Sequence, residues 1–325
     1  MSDYTKYQSD VIVDLLQHYE FEYIAINPGA SFRGLHDSLI NYGGDNPKML
    51  VCQHEETAVQ IAHGFARATG RPMACILHDL VGLLHGQMAI YYAFTDRAPV
   101  FILGATGPMD EGKRRPRSDW HHTAQSQGDA VRNFTKYDYQ PHAIEGVTDS
   151  FMRAYSTMVT EPQGPTYLCY DALLQETPLT AEVRMPPADA QRAPTPMAAD
   201  LAVLERIVAT LLAAESPWIM AEFTGRQPGN FDKLVTLAET LGVAVWDVNS
   251  ALCFPNRHKQ NLSMDTPSLA SADAILALDV RDWEKATAKL DSTTRELNSY
   301  LSEDCIWMDV GFHETGLKSW SLDYG

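Results

Sequence analysis

The stretch Lys48-Met49-Leu50-Val51-Cys52-Gln53-His54-Glu55-Glu56-Thr57-Ala58-Val59 decides the fold. Its first five residues form an apolar run that reads as a buried strand. The rest reads as a helix that opens on two carboxylates. Ala58, Val59, Ala62, Phe65 and Ala66 then recur at helical spacing, and Thr69-Gly70-Arg71-Pro72 closes the helix with a Gly stop and a Pro. A carboxylate at such a strand-to-helix junction sits at the carboxyl edge of a parallel sheet, where open α/β folds bind ligands. It also sits at a positive helix end, which favours its ionised form.

The same alternation extends in both directions. Tyr7–Tyr19 reads as an amphipathic helix and Tyr23–Ile26 as a strand ending in the turn-rich Asn27-Pro28-Gly29-Ala30-Ser31. Leu35–Tyr42 reads as a helix, Met73–Leu77 as a buried strand, Gly86–Asp96 as a helix and Val100–Gly104 as a strand. His78–Gly82 reads as a loop, Val147–Thr160 as a helix, and Pro165–Tyr170 as the strand that closes the sheet. Strands alternating with helices imply parallel sheets covered on both faces, so the fold class is α/β. The 325 residues suffice for two domains. The expected division is 1–180, a linker over 181–196 with Pro186, Pro187, Pro194 and Pro196, and a second parallel α/β domain over 197–325. In that second part Ala198–Ala214 and Phe231–Leu241 read as helices. Pro217–Ala221, Val243–Trp246, Ala274–Leu278 and Cys305–Asp309 read as strands.

Composition narrows the function classes. The formal charge of -17 argues against nucleic acid or an anionic membrane as partner. The five cysteines are widely spaced with no CxxC, which argues against a disulfide framework or a zinc site. No signal pattern opens the chain and no apolar run reaches spanning length, so a cytoplasmic setting is expected.

Several ordered pieces carry a resemblance. They are Asn27-Pro28-Gly29-Ala30, His54-Glu55, Ala62-His63-Gly64-Phe65-Ala66-Arg67-Ala68-Thr69-Gly70, Asp96-Arg97-Ala98-Pro99-Val100, His121-His122-Thr123 and Lys136. Together they resemble the pyrimidine-binding domain of thiamine-diphosphate enzymes of the pyruvate decarboxylase, acetolactate synthase and benzoylformate decarboxylase group. The resemblance implies a flavodoxin-like first domain and a Rossmann-like central domain. It implies that Glu55 hydrogen-bonds N1′ of the cofactor's aminopyrimidine and so activates the cofactor. Burial is expected to raise the pKa of Glu55. Read alone, Glu55 fits a helix N-terminal acid equally well, and Glu56 reads as a solvated first-turn carboxylate. His54 reads as either a positioned imidazole or a direct participant.

By resemblance, His121 and His122 line the active site and assist proton transfer, although adjacent histidines on a polar loop also occur without a role. Pro28, Gly29, Ala30, Gly82 and Gln87 are the further candidates for cofactor contact. Gln87 fits a buried capping role equally. The loop His78-Asp79-Leu80-Val81-Gly82 departs from the glycine-rich turns of the family and keeps only Gly82. Lys113-Arg114-Arg115-Pro116-Arg117 reads as a solvated basic loop or as an anion holder.

In the second domain Gly225 and Gly229 do not form GxGxxG. A structural role is therefore expected there, with FAD the weaker alternative. The family's third domain, which carries a Gly-Asp-Gly segment for Mg²⁺ and the diphosphate, has no counterpart here, and no metal ligand is expected in this chain. The end at Ser321-Leu322-Asp323-Tyr324-Gly325 reads as truncation of a longer enzyme, or as one chain complemented by another that carries the third domain. The chain alone is expected to be inactive. A 2-oxo acid substrate and a homodimer or tetramer are expected. A non-catalytic binding module is the alternative from another class.

Overall fold

The computed structural model describes residues 5–187, 193–195, 197–227 and 229–312. The chain end at 321–325, the Met1–Tyr4 start, and Pro196 with residues 188–192 of the expected linker lie outside them. Two compact units emerge, Met1–Pro196 and Met197–Gly325.

The first unit is a six-stranded sheet. Its strands are β1 (Tyr23–Ile26), β2 (Lys48–Val51), β3 (Met73–Leu77), β4 (Val100–Thr106), β5 (Tyr137–Tyr139) and β6 (Thr166–Asp171). They lie in the order β2-β1-β3-β4-β6-β5, and every pairing is parallel. The helices are α1 (Gln8–His18), α2 (Arg33–Asn41), α3 (Glu55–Thr69), α4 (Asp79–Thr95), α5 (Ser118–His122), α6 (Glu145–Val159) and α7 (Ala172–Glu176).

Side chains alternate across the sheet as a pleated strand requires. Ile24, Ile26, Phe101, Leu103 and Leu168 join Val11, Leu15 and Phe151 of α1 and α6 on one face. Ala25, Cys75, Ile102, Tyr167 and Cys169 join Ala58, Val59, Ala62 and Ile90 of α3 and α4 on the other. Burial on both faces makes the central strands continuously apolar, as a covered parallel sheet demands. Truncating a fully buried ring such as Phe101 would cost about 3–5 kcal/mol. Val183 and Met185, within the expected linker, pack against the first of these cores.

Three expectations need correction. The run Lys48–Cys52 is not a buried strand: β2 is the sheet edge, and Val51 is 66% exposed. Thr166–Asp171 does not close the sheet, because the short polar strand β5 pairs outside it. The segment from Asp79 is not a loop but the first turn of α4, since Gly82 N–H already bonds His78 O at 2.8 Å.

The motif Ala62–Gly70 ties α3 to the end of α4. His63 Nε2 and Arg67, one helical turn apart, reach the Asp96 carboxylate at 3.0 and 2.7 Å. Gly70 ends α3 at φ 68°, a left-handed cap that favours glycine.

The second unit adds the helices α8 (Leu201–Ala213) and α9 (Asn230–Leu241). Its strands are β7 (Pro217–Ala221), β8 (Ala244–Asp247), β9 (Ala274–Leu278), a hairpin of β10 (Ala288–Leu290) with β11 (Leu297–Ser299), and β12 (Ile306–Val310). The parallel sheet runs β12-β9-β7-β8. The antiparallel hairpin is not anticipated by the sequence, because its strands are only three residues long and mostly exposed. Among the described residues no helix is long and apolar enough to cross a membrane.

Candidate active site

In the order β2-β1-β3 the carboxyl ends of three neighbouring strands feed the Asn27–Ser31 loop, the start of α3 and the start of α4. Glu55 opens α3 and is 6% exposed. Its surroundings explain its charge state. Burial pushes its pKa up, but its own backbone N–H, the Asn27 side chain and the nearby His85 outweigh this, and the net shift is down. The expectation of a raised pKa is thus corrected. Burial was read without the donors that a helix N-terminus and a neighbouring loop supply.

Gly82 on α4 faces this carboxylate. A Cβ built at position 82 would lie 3.0 Å from Glu55 Cγ and 3.1 Å from Oε1. Glycine therefore lets α4 approach the acid. One turn on, His85 Nδ1 stands 3.4 Å from Glu55 Oε2. The His85 ring stacks on His54 at 5.1 Å and 7°. His54 is the N-cap of α3, and its Nδ1 accepts the Glu56 N–H at 3.1 Å. Glu56 is exposed.

Gly29 lets the β1 loop press against the His78 ring, whose Cγ would meet a Cβ there at 2.0 Å. Ser31 Oγ lies 2.8 Å from His78 Nδ1. Pro28 and Ala30 are exposed on the same loop. Asp79 is 2% exposed at φ 36°. Burial raises its pKa and lowers that of His78. His122 comes to this group, with Nδ1 3.7 Å from Asp79 Oδ2.

His121 does not join it. It is exposed, its ring 4.0 Å from that of Trp120. Gln87 donates instead to Ala130 O at 2.7 Å, holding the 3-10 turn Gly128–Ala130 against α4. Lys136 donates to Thr157 O and Thr160 O at the end of α6, and burial lowers its pKa to about 8. The basic run is partly internal, because Arg115 forks onto the buried Asp119 carboxylate at 2.8 and 3.1 Å.

Asn27 and His85 are not singled out as site residues by the sequence, whereas the resemblance puts His78 and Asp79 near the pyrimidine or the substrate. The signal for His85 was its spacing of three from Gly82 on one helix face. It was hidden because the helix was started too late.

At the carboxyl end of the second sheet Glu222 and Arg226 are held by neighbouring polar groups. Glu222, 3% exposed, accepts from Asn249 at 3.0 Å and from the Arg281 N–H at 2.7 Å. Arg226 stands 3.5 Å from Asp279.

Comparison with known proteins follows this geometry. Residues 8–132 match the family described as thiamine pyrophosphate enzyme, N-terminal TPP binding domain. This match covers somewhat over a third of the chain. The chain is 23% identical over 301 residues to a probable acetolactate synthase large subunit of Methanocaldococcus jannaschii, covering 87% of this chain and 48% of that protein. It is 23% identical over 296 residues to the chloroplastic acetolactate synthase 2 of Nicotiana tabacum, covering 87% of this chain and 43% of that one. The structure of benzoylformate decarboxylase from Polynucleobacter necessarius superposes with a TM-score of 0.76 at 20% identity, covering 94% of this chain and 56% of that chain. At that identity the likeness is one of fold, and it carries the parallel-sheet α/β architecture of both units. The chain spans about half the length of the curated relatives it matches.

The first unit can be tested for fit to the cofactor that the matched family's description names. A buried, ionised carboxylate at a helix N-terminus, with an approach cleared by Gly82, suits the protonated ring nitrogen of an aminopyrimidine. The residues present fit that end of thiamine diphosphate.

Proposed function

We propose that this chain is the pyrimidine-binding and central portion of a thiamine-diphosphate-dependent enzyme acting on a 2-oxo acid, as a decarboxylase or an acetolactate-synthase-like carboligase. The observation that carries this reading is Glu55: buried, shifted toward its ionised form, and faced by Gly82 rather than by a side chain. When bound, thiamine diphosphate supplies an electron sink for the pair released as a 2-oxo acid loses carbon dioxide.

The chain's own groups have narrower tasks. Glu55 Oε2 or Oε1 accepts the hydrogen bond from pyrimidine N1′ and holds the proton there. Pro28, Gly29 and Ala30 shape the wall beside it, and Gly82 keeps α4 close without filling the space. Gln87 acts through the turn it anchors. His122, beside Asp79, lines the site on the side of the reacting molecule. His121 is the outer imidazole of the pair.

No Gly-Asp-Gly segment occurs within these 325 residues, so Mg²⁺ and the diphosphate are assigned to residues beyond them or on a partner chain. The mutual pairing of Glu222, Asn249 and Arg281 supports a structural role for the second unit over FAD binding. Val81, Leu84, Met88 and Tyr91 form an exposed stripe at 3-4-3 spacing on α4, which supports a homodimer or tetramer built on this helix.

The test combines this chain with a chain carrying the diphosphate-binding domain, Mg²⁺ and thiamine diphosphate, and measures CO2 release from a panel of 2-oxo acids. Glu55→Gln should reduce release on the order of 10²-fold, the loss typical of one preorganised charge-stabilising group. Equal release by both proteins would refute the role of Glu55.

A further inference from the structure

His78, Asp79 and His122 meet at the amino end of α4. Asp79 Oδ2 lies 3.3 Å from His78 Nε2 and 3.7 Å from His122 Nδ1. All three donor atoms lie within 4.8 Å of one another. Neither imidazole makes a hydrogen bond to that carboxylate oxygen. The hydrogen bond of His78 is made by its other nitrogen, Nδ1, to Ser31 Oγ at 2.8 Å. The hydrogen bond of the Asp79 carboxylate is made by its other oxygen, Oδ1, from Val81 N–H at 3.2 Å. The inner atoms, His78 Nε2, Asp79 Oδ2 and His122 Nδ1, are thus left out of those hydrogen bonds.

This is the donor set of a borderline divalent cation: two imidazole nitrogens and one carboxylate oxygen. A tetrahedral zinc ion with bonds of about 2.0–2.1 Å holds its ligand atoms about 3.3 Å apart. One edge of the cluster already matches and a second is slightly wide. The third closes by a small movement of His122, the last residue of the five-residue α5, whose side chain is 42% exposed. The Ser31 contact is the outer hydrogen bond that ligating histidines typically make. With Nδ1–H donating to Ser31 Oγ, Nε2 is left free to coordinate.

We propose that His78 Nε2, Asp79 Oδ2 and His122 Nδ1 form a three-ligand site for a zinc-class divalent cation, with the fourth position open to solvent. The sequence alone assigned no metal to this chain, because His122 lies 43 residues from Asp79 and no short-range ligand spacing links them. The site stands whether or not the chain acts on a 2-oxo acid. It is separate from the His54-Glu55-His85 group, the second cluster of potential ligands among the described residues.

The test uses the untagged 325-residue chain stripped with chelator, titrated with Co²⁺ in the visible range and with Zn²⁺ by calorimetry. One equivalent per chain should bind. His122→Ala, at the half-exposed end of α5, and Asp79→Asn, which keeps the shape of the side chain, should each weaken binding by at least about tenfold. His85→Ala should leave it unchanged. Absence of stoichiometric binding would overturn the proposal. So would binding that survives His122→Ala and is lost in His85→Ala.

Discussion

The packing of Gly82 against Glu55 predicts a sign reversal between two glycine substitutions. A Cβ at Gly64, on the exposed face of α3, meets nothing within 4 Å. Alanine in a helix interior is favoured over glycine by about 0.5–1 kcal/mol. Gly64→Ala should therefore stabilise the protein by that amount. Gly82, within α4, has the same propensity gain available. Its Cβ, however, would stand 3.0 Å from Glu55 Cγ, 3.1 Å from Oε1 and 3.4 Å from Cδ. Comfortable carbon separations are about 3.5–4.0 Å. Glu55 must then move, and it moves away from the Asn27 side chain that helps keep it ionised. Overpacking of this kind costs about 1–3 kcal/mol. The net effect of Gly82→Ala should be a loss of about 1–2 kcal/mol. In a Glu55→Ala background the obstruction is gone, so Gly82→Ala should become stabilising like Gly64→Ala. The coupling energy of the double-mutant cycle should be about 2 kcal/mol. Urea unfolding of the four chains of the cycle, followed by far-ultraviolet circular dichroism at neutral pH, measures it. If Gly82→Ala matches Gly64→Ala in both backgrounds, Glu55 does not pack against α4 and the site geometry is wrong.

Three further outcomes follow from particular groups. Glu55 has a folded-state pKa below its ordinary value, so its stabilising contribution is present above the unfolded value and is lost as pH falls through the folded one. The stability gap between wild type and Glu55→Gln should therefore narrow on acidification, and a gap that widens toward acid contradicts the assigned shift. Lys136 is the opposite case, a base depressed to about 8: between there and its ordinary value near 10.5 the unfolded chain holds more protons, and stability rises with pH. From about pH 7.5 to about pH 9.5 wild type should gain about 2 kcal/mol relative to Lys136→Met, and parallel pH profiles would reject the shift. On α4, Leu84→Lys together with Met88→Lys should shift any oligomer toward monomer in analytical ultracentrifugation, and an unchanged distribution would place the interface elsewhere.

Features set by short-range chemistry were legible from the chain. The limits of α3 are an example, since His54 caps one end and Gly70 takes a left-handed φ at the other, both within a turn of the residues they terminate. Glu55 and His122 are candidates only through the resemblance that their neighbours carry. What escaped is set by neighbours distant in sequence. An apolar run such as Lys48–Val51 looks the same whether its strand is central or at an edge, because only the strand order decides what covers it. The first turn of α4 reads as a broken glycine loop until Ser31 and Gly29 are placed against His78. The charge of Glu55 follows the same logic, because its donors arrive from the β1 loop and from α4. The strand order β2-β1-β3 brings these pieces together: three adjacent parallel strands deliver three loops to one edge. Substitutions in those loops should therefore couple energetically, although Gly29, Glu55 and Gly82 are separated by more than twenty residues in the sequence. The same edge carries both Glu55 and the His78-Asp79-His122 cluster, so a change in the position of α4 moves both at once.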